Sequence, residues 1–172
     1  MSFANYETLI RAVRKTYGFK PVIWKGVIIE GYFVSQCGDI WSFKGKIPRI
    51  LASCISGKSH YPKVCLTIDG KQKTFNVHQL VCAAFHPPRK PAGVTEEEWN
   101  ITPNSVKAHI ADQFFVNHID HDKLNHHPSN LEWVTAQENA RKAQENAQKR
   151  DKFIAAILDA GVKKKQTLKK AA

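Results

Sequence analysis

The stretch from Phe114 to Ala140, FFVNHIDHDKLNHHPSNLEWVTAQENA, restricts the fold more than any other part of the sequence. It opens on an apolar run that turns polar at NHID, crosses a loop rich in His, Asp and Asn, and resumes with LEWVT. Short runs rich in β-branched and aromatic residues, bounded by turn-forming residues, read as strands. Thr135 and Glu138 then form a Thr-x-x-Glu capping box, in which the two side chains satisfy exposed amide donors of a first helical turn. The order is strand, polar loop, strand, capped helix. His118 ends the first strand, Asn130 follows it by twelve positions and Asn139 by twenty-one, within the first turn or so of the helix. A histidine and an asparagine brought together in this way can hold one hard cation beside a base, because amide oxygens suit Mg²⁺, which keeps several waters and shares phosphate oxygens.

Upstream the texture is different. From Val22 to Val77, VIIEGYFVS, GDIWSF, YPKVCLTI and TFNVH are separated by the turn signals Cys37-Gly38-Asp39, Lys44-Gly45, Ser56-Gly57 and Asp69-Gly70. TIDGKQKTF reads as a hairpin. One small antiparallel sheet is predicted, carrying Lys44, Lys46, Arg49, Lys58, Lys63, Lys71 and Lys73. Helical spacing of Leu9, Ile10 and Val13 predicts a helix over 3–17, ended by Gly18. VHQLVCAAF (77–85) predicts another, stopped by Pro87-Pro88. A connection over 87–113 follows, with a helical turn at Thr95–Trp99 and a short helix at Ser105–Gln113. The class is α+β: an N-terminal helix and β-rich module over 1–86, the connection, the motif over 114–150, and a basic helical end over 151–172 in which FIAAIL (153–158) precedes Gly161.

Hydrophobic content of 42% allows a packed core, and no apolar run is long enough for a membrane helix. Charges spread through MSFANYETLIRAVRKTYGF exclude a secretory signal, so the chain is expected to be cytoplasmic. Cys37, Cys54, Cys65 and Cys82 include no CxxC pair and are expected to be reduced and mostly buried. His121, His126 and His127 share a loop without the fixed spacing of zinc ligands, so they are placed near phosphate or water, while His78 opens an apolar helix and reads as packed. Seven of the net +11 charges fall in 141–172, a clustered positive end expected of a polyanion binder.

VNHIDHDKLNHHPSNLEWVTAQEN resembles the HNH (ββα-metal) nuclease motif in its phage and intron homing endonuclease form. WKGVIIEGYFVSQCGDIWSF and VHQLVCAAF are similar to the module and helix that precede it, so the resemblance spans about 22–86 and 114–140. It implies a metal-dependent endonuclease acting on double-stranded DNA, one strand per site, in the host cytoplasm if phage-encoded. His118 would be the general base, Asn117 and Asn139 would ligate one Mg²⁺ or Mn²⁺, and Asn130 would hold the motif's loop in shape. Lys44, Lys46, Arg49, Lys63, Arg141, Lys142, Lys149 and Arg150 would contact DNA. No membrane and no small-molecule cofactor is implied.

The chain departs from the family pattern in three places. Many members carry aspartate immediately before the histidine, where this chain has Asn117; Asp120 is a nearby carboxylate to compensate, or else it caps a turn. That departure also supports the alternative of a DNA-binding protein with a decayed nuclease site, acting by occupancy. The connection after Phe85 is long, and residues 141–172 are too short for an appended helix-turn-helix module. AQENA recurs at 143–147, but Asn146 lies about 10.5 Å along the helix from Asn139 and cannot reach the same ion.

Overall fold

A computed structural model describes Thr8 and residues 18–55, 60–86 and 89–170. The helix expected over 3–17 (Thr8 apart), the Ser56-Gly57 turn with Lys58, and Pro87-Pro88 lie outside the described residues. The chain divides into two compact units, Met1–Val134 and Thr135–Ala172. Antiparallel β-structure with short helices makes up the first and a long helix the second, an α+β architecture.

Strands β1 (Lys20–Trp24), β2 (Val27–Val34), β3 (Ile40–Ser42) and β4 (Arg49–Ile50) form a sheet in sequence order. A second sheet contains β5 (Cys54–Ile55), β6 (Pro62–Ile68) and β7 (Lys71–Asn76). The one sheet predicted from sequence is therefore two. Alternation along a strand shows which residues face inward, but not which strands are neighbours. Both sheets feed one core: Val22, Val34 and Ile40 from the first meet Val64, Leu66 and Phe75 from the second. The Tyr32 hydroxyl accepts the Thr67 amide at 2.9 Å, and the Lys44 ammonium donates to the Thr67 carbonyl at 2.6 Å, tying one sheet to the other.

Ile68 pairs directly with Lys71 across Asp69-Gly70, whose φ values of 50° and 73° make the two-residue turn that matches strand twist. Cys65 sits between the buried Val64 and Leu66, so alternation turns it outward. Cys37 and Cys54 are exposed as well, and only Cys82 is buried, where burial pushes its thiol up to about 12. The expectation of mostly buried cysteines fails because three of the four occupy turn or outward strand positions.

Helix α1 (Val77–Phe85) lays Val77, Leu80, Val81 and Cys82 onto the core. Beyond it come α2 (Glu96–Ile101), capped by a Thr95–Glu98 box, and α3 (Asn104–Ala111), after which Asp112 pairs with Lys25 of the β1–β2 turn at 2.7 Å. Strands β8 (Phe115–His118) and β9 (Leu131–Val134) pair antiparallel. The second unit is helix α4 (Ala136–Lys170), 35 residues without interruption. Thr135 and Glu138 form its capping box: the Glu138 amide donates to the Thr135 hydroxyl at 3.2 Å and the Thr135 amide to the Glu138 carboxylate at 2.8 Å. FIAAIL and Gly161 both lie within this helix, since a single glycine costs about 1 kcal/mol in a helix and does not end one.

Candidate active site

The loop between β8 and β9 is organised around Asn130. Its amide nitrogen donates to the Asp120 carboxylate at 2.8 Å and to the Asn125 carbonyl at 2.9 Å, while its side-chain oxygen accepts the Asp120 amide at 3.0 Å. The Asn130 carbonyl also accepts the Ile119 amide at 2.8 Å, extending the pairing one step past His118. Asp120 has further partners in the Asp122 amide (2.8 Å) and the Asn125 side chain (2.7 Å). These bonds, led by the one from Asn125, hold its carboxyl below the usual range. Both Asp120 oxygens thus accept hydrogen bonds from the loop itself.

His118, at the end of β8, is 4% exposed. Its ring lies 5.1 Å from that of His78 on α1, 5.9 Å from Tyr61 and 6.1 Å from His126, centre to centre. Burial holds the His118 ring below the ordinary histidine value, against the pull of Asp120 and Asp122, so it is neutral at pH 7. His78 is pushed further, to about 3, by burial and then by the neighbouring His118, His126 and Lys123. The sequence reading placed His126 near phosphate or water. It is instead buried, above Gly38, where a Cβ would come within 2.9 Å of its ring. His127 stays exposed, its ring nitrogen 2.7 Å from the Ser129 hydroxyl.

Successive strand residues face opposite sides, so Asn117 and His118 leave β8 on opposite faces. Asn117 stands directly across from Glu132 on β9 and donates its amide nitrogen to the Glu132 carboxylate at 2.8 Å. That bond leaves the Asn117 oxygen as the atom presented to a ligand, and an amide oxygen on a half-buried ribbon fits a hard, partly hydrated cation. Among the described residues no three His, Cys, Asp or Glu side chains are arranged to hold an ion. Asn139 is exposed in the first turn of α4, its amide donating to the Thr135 carbonyl at 2.9 Å.

Of the basic residues, Lys44 is engaged with Thr67 and lies 4.7 Å above the Tyr32 ring. Lys46 and Arg49 are exposed and Lys63 is half-buried. On α4, Arg141 pairs with Glu145 at 2.8 Å and Arg150 with Asp151 at 3.6 Å; Lys149 is exposed and Lys142 half-buried. Sequence reasoning missed Glu132, Tyr61 and the packing of His126. For Glu132 the signal was present in LEWV, since pairing the two strands sets Leu131 against His118 and Glu132 against Asn117.

Residues 75–141 match a family model described as HNH endonuclease. Two uncharacterized HNH endonucleases of Acanthamoeba polyphaga mimivirus are similar, one 35% identical over 133 residues and the other 31% identical over 129. Each match takes in 74% of this chain but only 27% and 31% of the relative, so the chain spans about a third or less of the length of these curated relatives. A solved structure described as DNA binding and cleavage by the HNH homing endonuclease I-HmuI aligns with a TM-score of 0.52 at 28% identity, covering 82% of this chain and 67% of that one. Residues 75–141, which carry the β8–β9 ribbon, its loop and the capped start of α4, are thus the part of the chain that is similar to the HNH endonuclease family.

Proposed function

We propose that the chain is a homing-type DNA endonuclease that hydrolyses phosphodiester bonds in double-stranded DNA, one strand per site, with one Mg²⁺ or Mn²⁺ ion. The observation that carries this reading is the match of 75–141 to the HNH endonuclease family, a span that includes Asn117, His118, Asn130 and Asn139. The likeness to a homing endonuclease described for DNA binding and cleavage supports it.

A divalent cation, when bound, offsets the charge of the scissile phosphate and stabilises the leaving 3′ oxygen. Asn117 and Asn139 would hold it through their amide oxygens. His118 would be the base that accepts the proton of the attacking water, although its ring is 4% exposed and lies on the face of the ribbon opposite Asn117. Asn130 keeps the loop after His118 in one shape through its three side-chain hydrogen bonds. Lys46, Arg49 and Lys63 in the first unit, with Arg141, Lys142, Lys149 and Arg150 in the second, supply phosphate contacts that position duplex DNA. Lys44 contributes less, because its ammonium is already bonded to Thr67.

Supercoiled plasmid incubated with protein tests the reading. Conversion to nicked circle is expected with Mg²⁺ or Mn²⁺ and not with EDTA. His118→Ala and Asn139→Ala should each abolish conversion while leaving metal-free DNA binding near wild type, and Asn139→Ala, at an exposed position, should also keep the unfolding temperature. DNA binding without conversion in either ion, across several substrates, would favour the occupancy role instead.

A further inference from the structure

We propose that Glu132 is a positioning residue of the cation site, acting through Asn117; the inference rests on the reading of Asn117 as a metal ligand given above. Asn117 and Glu132 are directly paired across β8 and β9, so their side chains share one face of the ribbon, opposite the face that buries His118. The Asn117 amide nitrogen donates to the Glu132 carboxylate at 2.8 Å, and both residues are half-buried.

This pairing has two consequences for a cation. An asparagine side chain can rotate by half a turn and present either its oxygen or its positively polarised NH₂ group. Giving the nitrogen a carboxylate partner fixes the orientation, so the oxygen is what a cation meets. The carboxylate also polarises the amide towards that oxygen and places a full negative charge one hydrogen bond away, in partly desolvated surroundings where charge acts more strongly. A neutral amide then works in the field of an acid. The ribbon divides one task between two strands: β8 supplies the ligand oxygen and β9 the charge.

The test is Mn²⁺ affinity of the protein alone, read by electron paramagnetic resonance of the free ion, with urea unfolding and plasmid conversion measured beside it. Glu132→Gln can keep a hydrogen bond to Asn117 but removes the charge, and partners one step behind a metal ligand typically change affinity about 10- to 100-fold. The Mn²⁺ Kd should rise by about that factor, with the urea midpoint close to wild type. Adding Asn117→Asp to Glu132→Gln moves the charge to the other strand and keeps one donor facing one acceptor, so affinity should return to near the wild-type value. An unchanged Kd in Glu132→Gln, or no Mn²⁺ binding by the wild type, would overturn the proposal. The nuclease reading is judged separately by plasmid conversion. If the wild type cuts while Glu132→Gln binds Mn²⁺ as tightly as it does, only the role of Glu132 falls. If Glu132→Gln weakens Mn²⁺ binding but no form of the protein cuts, the cation site stands and the nuclease falls.

Discussion

Asn130→Ala is the sharpest probe of how the candidate site is held. The side chain is 7% exposed and makes three hydrogen bonds: two from its nitrogen, to Asp120 and to the Asn125 carbonyl, and one accepted from the Asp120 amide. Neutral hydrogen bonds contribute about 1 kcal/mol each and those to charged groups about 1.5–3 kcal/mol, so losing all three would cost roughly 4 kcal/mol if no water replaced them. Asp120 and Asn125 are both exposed, and water can reach the groups that truncation leaves bare. The expected loss is therefore about 2–3 kcal/mol, or about 5–10 °C in unfolding temperature for a domain of this size. Thermal unfolding measures the total, and hydrogen exchange locates it, with amides of 119–130 exchanging faster than those of β6 and β7. Asn130→Asp sharpens the test, because it keeps the oxygen that accepts the Asp120 amide but turns the donor into a second acceptor facing a carboxylate. It should cost at least as much as alanine at neutral pH and recover part of the loss in acid, where a protonated carboxyl can donate once. If Asn130→Ala melts within about 2 °C of wild type and amides 119–130 exchange at unaltered rates, the loop is held by something other than Asn130.

His78 has its pKa pushed from 6.5 to about 3, so between those values the unfolded chain binds a proton that the folded one does not. Stability is then fully present above pH 6.5 and lost as pH falls towards 3, at up to about 1.4 kcal/mol per pH unit. Urea midpoints at several pH values should fall less steeply in His78→Leu, and parallel curves would show that acid sensitivity has another source. On α4, Lys149→Gln with Arg150→Gln should weaken binding to all DNA sequences alike and reduce the slope of log K against log salt by about 1 per lost phosphate contact, whereas an unaltered slope removes both residues from the interface.

What could be read in advance was whatever short-range chemistry decides. Asp69-Gly70 fixed a hairpin because the turn accepts φ > 0 at both positions, and Thr135-x-x-Glu138 marked a helix start because the cap is built from neighbours in the chain. The strand-loop-strand order of the motif was legible for the same reason. The turn at Lys25-Gly26 was not marked, although its φ values of 52° and 74° make it a counterpart of Asp69-Gly70, because lysine carries no turn signal of its own. Division of the strands into two sheets, and burial of His126 against His118, depend on contacts between residues far apart in sequence. A histidine in the polar stretch LNHHPSN gives no local sign that it will turn inward over Gly38.

The extent of the family match has a physical reason. A two-stranded ribbon of four residues per strand does not persist in water by its own pairing, and so needs an apolar surface beneath it. Leu131 and Val134 are 2% and 1% exposed, and Val116 and Trp133 pack against the same core as Val77, Leu80 and Val81 of α1. The matched segment begins at residue 75, two residues before that helix starts at Val77, so it includes the surface on which the ribbon rests. His118 is therefore held from two sides, by its place in β8 and by the rings of Tyr61 and His78 against it. The connection between α1 and β8 can then lengthen into α2 and α3 without disturbing the site, because the ribbon is positioned by its packing on α1 and not by the chain that leads into it.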